Sequence, residues 1–311
     1  MPENELLSGK FMNAEPITIV DCHLHFLDSE VHSYPIFRER SAAFEALVGD
    51  YSALPRRYLP KDYLAQTSRF KVVKTIWAEF MSDDPLREVR WAEALSNENS
   101  HPHGLIAQAN FLSPEITGMI DSYGSLPRVR AVRQHLAFHP RIDLKVARPN
   151  TLADPVWRER LSLLSKYALR CEMEILAPDL PEFAAAAKLY PSMQFILPLM
   201  GWPIDLTDAG RRAWQRDMRA LSRCKNVAVK VFGMECIFGL NWTVGQVRPW
   251  ISDTIDFFGP ERCMFASHMP IAGLARSFDE LYAAYFDVVS HHSKSEKQKL
   301  FHDTATKIYG V

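Results

Sequence analysis

The stretch Thr18-Ile19-Val20-Asp21-Cys22-His23-Leu24-His25-Phe26 decides how the rest of this 311-residue chain is read. A β-branched, apolar start runs into two histidines separated by one residue. Along a strand, alternate side chains share a face, so Asp21, His23 and His25 are expected to point the same way. Two imidazoles so placed can converge on one metal ion or one substrate group. An isolated H-x-H is a weak signal, because two surface histidines at a strand end look the same. The apolar strand directly upstream, at the start of a repeating pattern, turns the reading toward a site.

That pattern extends outward from His25. Short runs rich in Val, Ile, Leu and Phe recur at 18–26, 72–80, 105–110, 129–136, 171–177, 194–200, 227–232 and 263–271. They lack clean alternation, as expected of strands buried on both faces of a parallel sheet. Helices are expected between them. Asp84-Pro85 opens one over 86–97 and Asp154-Pro155 another over 156–167, each with an acceptor at the N-cap and proline at N1. Thr243 starts a helix that runs to Phe258 and stops at Gly259-Pro260. Ser277 with Glu280, and Ser293 with Glu296, read as capping boxes. Eight strands with intervening helices predict a single-domain α/β fold, the (β/α)8 TIM barrel, over residues 1–311. An open doubly wound sheet is the alternative, but its first strand should lead into a glycine-rich phosphate loop. No glycine follows His25 for many residues.

Bulk properties agree with one large soluble-type domain. Hydrophobic residues make up 47% of the chain and charged residues 23%, enough for a sizeable core. The net charge of −1, with both signs mixed along the chain, argues against a nucleic-acid partner. No apolar run reaches the roughly 20 residues that span a bilayer. Residues 1–15 read as a flexible N-terminal extension without the basic and apolar regions of a secretory signal. Five widely spaced cysteines, an odd number with no C-x-x-C, fit free thiols in a reduced cytoplasm. The expected partner is a small molecule, with homo-oligomerisation left open.

Beyond the first strand, Val129-Arg130-Ala131-Val132-Arg133-Gln134, Gly201-Trp202-Pro203, Val229-Lys230, the run 258–267 and His302-Asp303-Thr304-Ala305 occur in order along the chain. Together with Ile19–His25 they resemble the amidohydrolase superfamily, in particular its amidohydrolase-2, lactonase-like branch. That resemblance implies a barrel hydrolase acting on a lactone or similar cyclic ester of a small anionic or aromatic substrate. Two departures bear on the chemistry. The branch usually carries aspartate where Ala266-Ser267-His268 places His268, and a histidine where Leu197-Pro198-Leu199 places Leu199. The aspartate holds or deprotonates the attacking water in hydrolytic members, and a leucine in place of the histidine can neither bind a metal nor transfer a proton.

The expected catalytic set is therefore His23, His25, His268 and Glu174, with His268 as general base. Glu172 and Glu174 share a face of an apolar strand, where buried carboxylates are costly unless paired or metal-bound. Glu174 could join His23, His25 and His268 around one divalent ion such as zinc, or pair with Arg133 or Lys230 in a metal-free site. Arg133 is the expected anchor for a substrate carboxylate or carbonyl. His135 at the end of its strand either contacts substrate or caps the barrel rim, and Glu79, after Trp77 on the same face, either lines the pocket or anchors a loop arginine. The long interval 27–71, which carries Tyr34, Arg38 and other arginines, is expected to lie over the barrel mouth, where Tyr34 and Arg38 could meet substrate. His291-His292 reads as a solvated helix end. Two other functions stay open: lyase chemistry (decarboxylation, dehydration or cyclisation) and a non-catalytic binding protein.

Overall fold

A computed structural model describes residues 17–67, 69–139 and 147–311; the expected N-terminal extension lies outside these. Eight parallel strands form one sheet in sequence order: β1 Ile19–Leu24, β2 Val72–Ala78, β3 Gly104–Gln108, β4 Val129–His135, β5 Arg170–Glu174, β6 Phe195–Leu197, β7 Val227–Val231 and β8 Cys263–Phe265. Each strand pairs with its sequence neighbour, with Arg133 opposite Glu172 and His135 opposite Glu174 in the β4–β5 ladder. Closure comes from the segment after β8. The His268 N–H donates to the His23 carbonyl (2.8 Å), and the His25 N–H to the Met269 carbonyl (2.7 Å). Asp21 completes the seam by accepting the Ser267 N–H at 2.8 Å. The expected TIM barrel is the observed fold.

Strands β1, β3, β5, β6, β7 and β8 are buried almost throughout, which is why their sequences read as apolar runs without alternation. The strands are shorter than expected, and the reason is local. Leu199 and Met200 take positive φ of 52° and 53°, so the chain leaves β6 at Pro198. His268, at φ 63°, likewise turns away from β8. The helix starts are as the sequence dictates. The Asp84 side chain accepts from the Arg87 N–H, and Thr243, Ser277 and Ser293 all form capping boxes. The helix expected over 156–167 splits into an α-helix Pro155–Arg160 and a 3-10 turn Leu161–Tyr167.

Interval 27–71 folds as two short helices, Pro35–Arg38 and Ala42–Val48, a two-residue ribbon pairing Leu27–Asp28 with Arg57–Tyr58, and the helix Pro60–Gln66. All five cysteines are free thiols. Among the described residues, no helix is long and apolar enough to cross a membrane.

Candidate active site

The barrel interior holds a connected polar network in a space otherwise filled by apolar side chains. Tyr309 donates to Glu172 Oε2 at 2.9 Å, and Lys230 Nζ bridges both Glu172 oxygens at 2.9 and 2.8 Å. Lys230 Nζ also lies 3.1 Å from His23 Nδ1. On the other side of the same ring, Arg133 Nη1 lies 3.2 Å from His23 Nε2. The His23 ring stacks on Phe232, with centroids 4.2 Å apart. Burial, then the neighbouring Lys230 and Arg133 cations, hold the His23 pKa well below the usual histidine range, so the ring is neutral.

Arg133 is committed to the protein. Its Nε donates to Glu79 Oε1 at 2.8 Å and its Nη2 to the Glu79 carbonyl at 2.9 Å. Burial favours protonation of Glu79, but Arg133 and His135 outweigh it and hold the carboxyl far below its usual range. His135 completes the arrangement. Its Nδ1 donates to Glu174 Oε1 at 2.9 Å and its Nε2 to Glu79 Oε1 at 2.8 Å. Both ring nitrogens face carboxylate acceptors, so the ring is an imidazolium. Burial alone would discharge it; Glu174 and Glu79 instead raise its pKa to about 9.

His25 and His268 stand apart from these ion pairs and offer lone pairs. His25 Nδ1 lies 3.0 Å from the Ala78 carbonyl and 3.1 Å from the Glu79 carbonyl. Only an N–H fits between two carbonyl oxygens, which leaves the lone pair on Nε2, a buried atom without a partner. Burial keeps this ring neutral too. His268 donates Nδ1–H to Glu235 Oε1 at 2.5 Å, leaving its own Nε2 as acceptor. A histidine oriented by a carboxylate at one nitrogen and open at the other is built to take a proton.

A narrow cavity of about 40 Å³ opens between these groups, room for about three waters. His25, Glu79, Arg133, His135, Glu174 and His268 supply its polar lining. Phe44, Leu47 and Val48 from the short helix Ala42–Val48 cover it, with Phe80, Leu199, Trp202 and Ile271 completing an apolar wall. The interval after β1 thus reaches the mouth through that helix. Its arginines do not line the cavity: Arg38 binds Asp83 at the surface, Arg40 binds Glu45 and Asp50, and Arg57 binds Asp28. Tyr34 packs under Phe80, and Trp77 is buried with its Nε1–H on the Phe26 carbonyl.

Of the metal set expected from the sequence, the structure brings His23, His25 and His268 together, with ligand atoms within 4.8 Å of one another. Glu174 is placed against His135, with Arg133 Nη1 at 3.7 Å, instead of in that cluster. The three histidines are close enough for one divalent ion, but they are not equally free to bind one. His23 has a cation against each nitrogen, whereas His268 keeps its Nε2 lone pair. His25 Nε2 is buried and without a hydrogen-bond partner.

Glu235 was not singled out from the sequence. It lies in the first turn of the short helix Met234–Phe238, which follows β7 after Phe232 and Gly233. Gly233 shapes that turn with φ +74°, and a Cβ there would sit 2.5 Å from Leu199 Cδ2. The turn therefore packs directly on the leucine that replaces the expected histidine. A carboxylate after a barrel strand, where βα loops carry chemistry, was the available signal.

A model of the amidohydrolase family matches residues 20–311, and the chain belongs to that family. It is 30% identical over 300 residues to protein y4mH of Sinorhizobium fredii, covering 95% of this chain and 99% of the relative. Over 233 residues it is 22% identical to an L-fucono-1,5-lactonase of Burkholderia ambifaria, covering 75% and 77%. Among solved structures, an amidohydrolase of Burkholderia multivorans with bound zinc superimposes with TM-score 0.77 at 19% identity, covering 94% of this chain and 99% of that one. A 5-carboxyvanillate decarboxylase of Sphingomonas paucimobilis superimposes with TM-score 0.58 at 13% identity, covering 96% and 100%.

Proposed function

We propose that this chain is a hydrolase of a small cyclic ester, with His268 as the general base. The observation that carries the reading is the Glu235–His268 pair at the end of β8, an imidazole held by a carboxylate and facing a cavity. A water between His268 and His25 meets two lone pairs, and His268 takes its proton as the oxygen attacks the carbonyl carbon. Glu235 stabilises the imidazolium formed, since a charge-assisted hydrogen bond strengthens as the ring becomes cationic. His268 then returns the proton to the departing ring oxygen, and the opened hydroxy acid leaves. No step here is assigned to a metal ion.

The lining points to a substrate with an apolar or aromatic body. Both cations that line the cavity, Arg133 and His135, are already paired with Glu79 and Glu174, so a free anionic group finds no unpaired charge among the described residues. The similarity to an L-fucono-1,5-lactonase supports the reaction class. Lyase chemistry is the second reading, favoured by the largely apolar wall and by the decarboxylase among the structural neighbours.

Acid release from a panel of neutral and aromatic lactones tests the proposal. Turnover should fall at least about 100-fold in His268→Ala, the usual weight of a general base. Heavy-oxygen water should label the product carboxylate. Unlabelled product, or a panel without turnover, would overturn hydrolysis.

A further inference from the structure

A second group of ligand-type side chains shares His268 with the three histidines. Glu235, Cys236 and His268 bring a carboxylate oxygen, a thiol and an imidazole nitrogen within 4.8 Å of one another. Cys236 Sγ lies 3.8 Å from Glu235 Oε1, the same oxygen that accepts from His268 Nδ1 at 2.5 Å. The other oxygen, Glu235 Oε2, is buried and has no hydrogen-bond partner, on a residue only 2% exposed. A buried carboxylate oxygen without a donor is an expensive arrangement that a cation would relieve. Cys236 is half-buried and lines the cavity, so solutes that enter the mouth reach it.

We infer that a divalent ion of the zinc group binds Glu235, Cys236 and His268, in preference to the three-histidine cluster. Zinc bonds of about 2.0–2.3 Å in tetrahedral geometry need ligand atoms roughly 3.3–3.5 Å apart, so side-chain shifts of about 1 Å suffice. Charge decides between the two clusters. The thiolate and carboxylate contribute two anions, whereas His23 lies between Arg133 at 3.2 Å and Lys230 at 3.1 Å, which repel a third cation. Binding forms metal bonds to Sγ, to Glu235 and to His268 Nδ1. The Cys236 thiol proton leaves to solvent, and the Nδ1 proton moves to Nε2, so one proton is released per ion. His268 is left with an N–H where its lone pair had been. On the reading of His268 as base, this ion switches the enzyme off.

The test is a cadmium titration of the chelator-treated intact protein, following the ultraviolet thiolate-to-cadmium charge-transfer band. One equivalent should produce the band and release one proton per ion. Cys236→Ser should abolish the band, and Glu235→Gln should weaken binding at least tenfold, with far-ultraviolet circular dichroism checking that both variants fold. Cadmium binding without the band, binding lost in His25→Ala but retained in Cys236→Ser, or no binding at all would each overturn the inference. Zinc inhibition of lactone turnover, relieved in Cys236→Ser, is read separately. A failure of the hydrolase reading therefore leaves the binding result intact.

Discussion

Replacing His135 by glutamine should remove a pH-dependent share of this protein's stability. The ring donates from both nitrogens, to Glu174 at 2.9 Å and Glu79 at 2.8 Å, and its side chain is 12% exposed. Burial opposes the charge, but the two carboxylates win and raise the pKa to about 9, from about 6.5 in an unfolded chain. A folded value above the unfolded one means that the folded state holds the proton more tightly. The stabilisation is therefore complete below about pH 6.5 and is lost as pH rises through 9. The shift of roughly 2.5 units corresponds to about 3 kcal/mol. Urea unfolding of wild type and His135→Gln at pH 6 and pH 10 measures it. Lysines, tyrosines and cysteines also titrate in that window, but they are common to both proteins and cancel in the difference. The wild-type advantage should shrink by about 3 kcal/mol between the two pH values. An advantage that stays constant within about 0.5 kcal/mol would refute the carboxylate-held imidazolium.

Three further outcomes follow from the same geometry. Glu235→Gln keeps an acceptor for His268 Nδ1–H but removes the charge, and a charged bond exceeds a neutral one by about 1–2 kcal/mol. Lactone kcat should thus fall about 5- to 30-fold with little change in KM, and a loss under twofold would detach Glu235 from the reaction. Arg133→Met removes one of the two cations on the buried Glu79 carboxylate and leaves His135 as the other, so urea unfolding at pH 7 should show a loss of about 1.5–3 kcal/mol; a variant as stable as wild type would mean that His135 alone suffices for Glu79. Gly233→Ala forces a side chain into a left-handed residue and against Leu199. Stability should drop by about 1–3 kcal/mol in a thermal melt, with lower turnover as Glu235 is displaced, and unchanged turnover would separate the turn from the site.

The barrel was legible because its cause is repetitive. A strand buried on both faces must be apolar throughout, and eight such runs with capped helices between them leave few alternatives. His23, His25, Arg133 and His135 were legible for a similar reason, since strand alternation fixes which side chains share the interior. The pairing of those groups was not. Glu174 looks equally suited to a metal, to Arg133 or to His135 until the β4–β5 register sets His135 opposite it. Turns were harder still. Nothing periodic marks Glu235, and the positive φ at Leu199, Met200 and His268 ended strands β6 and β8 earlier than their apolar composition implied.

The two departures from the family pattern, His268 and Leu199, act together in the structure. On the proposed function, a histidine where the resemblance leads one to expect aspartate is a base that becomes cationic when it works. Such a base needs an anion beside it, and Glu235 supplies one at 2.5 Å. Glu235 reaches that position in the helix Met234–Phe238, whose N-cap Gly233 packs against Leu199 in the segment after β6. A histidine at 199 would set a polar ring, with hydrogen-bonding needs of its own, against a glycine that offers no side-chain partner. Leucine meets the turn with apolar surface alone. The carboxylate beside His268 thus comes from the helix after β7, and Leu199 is the apolar surface against which the start of that helix packs.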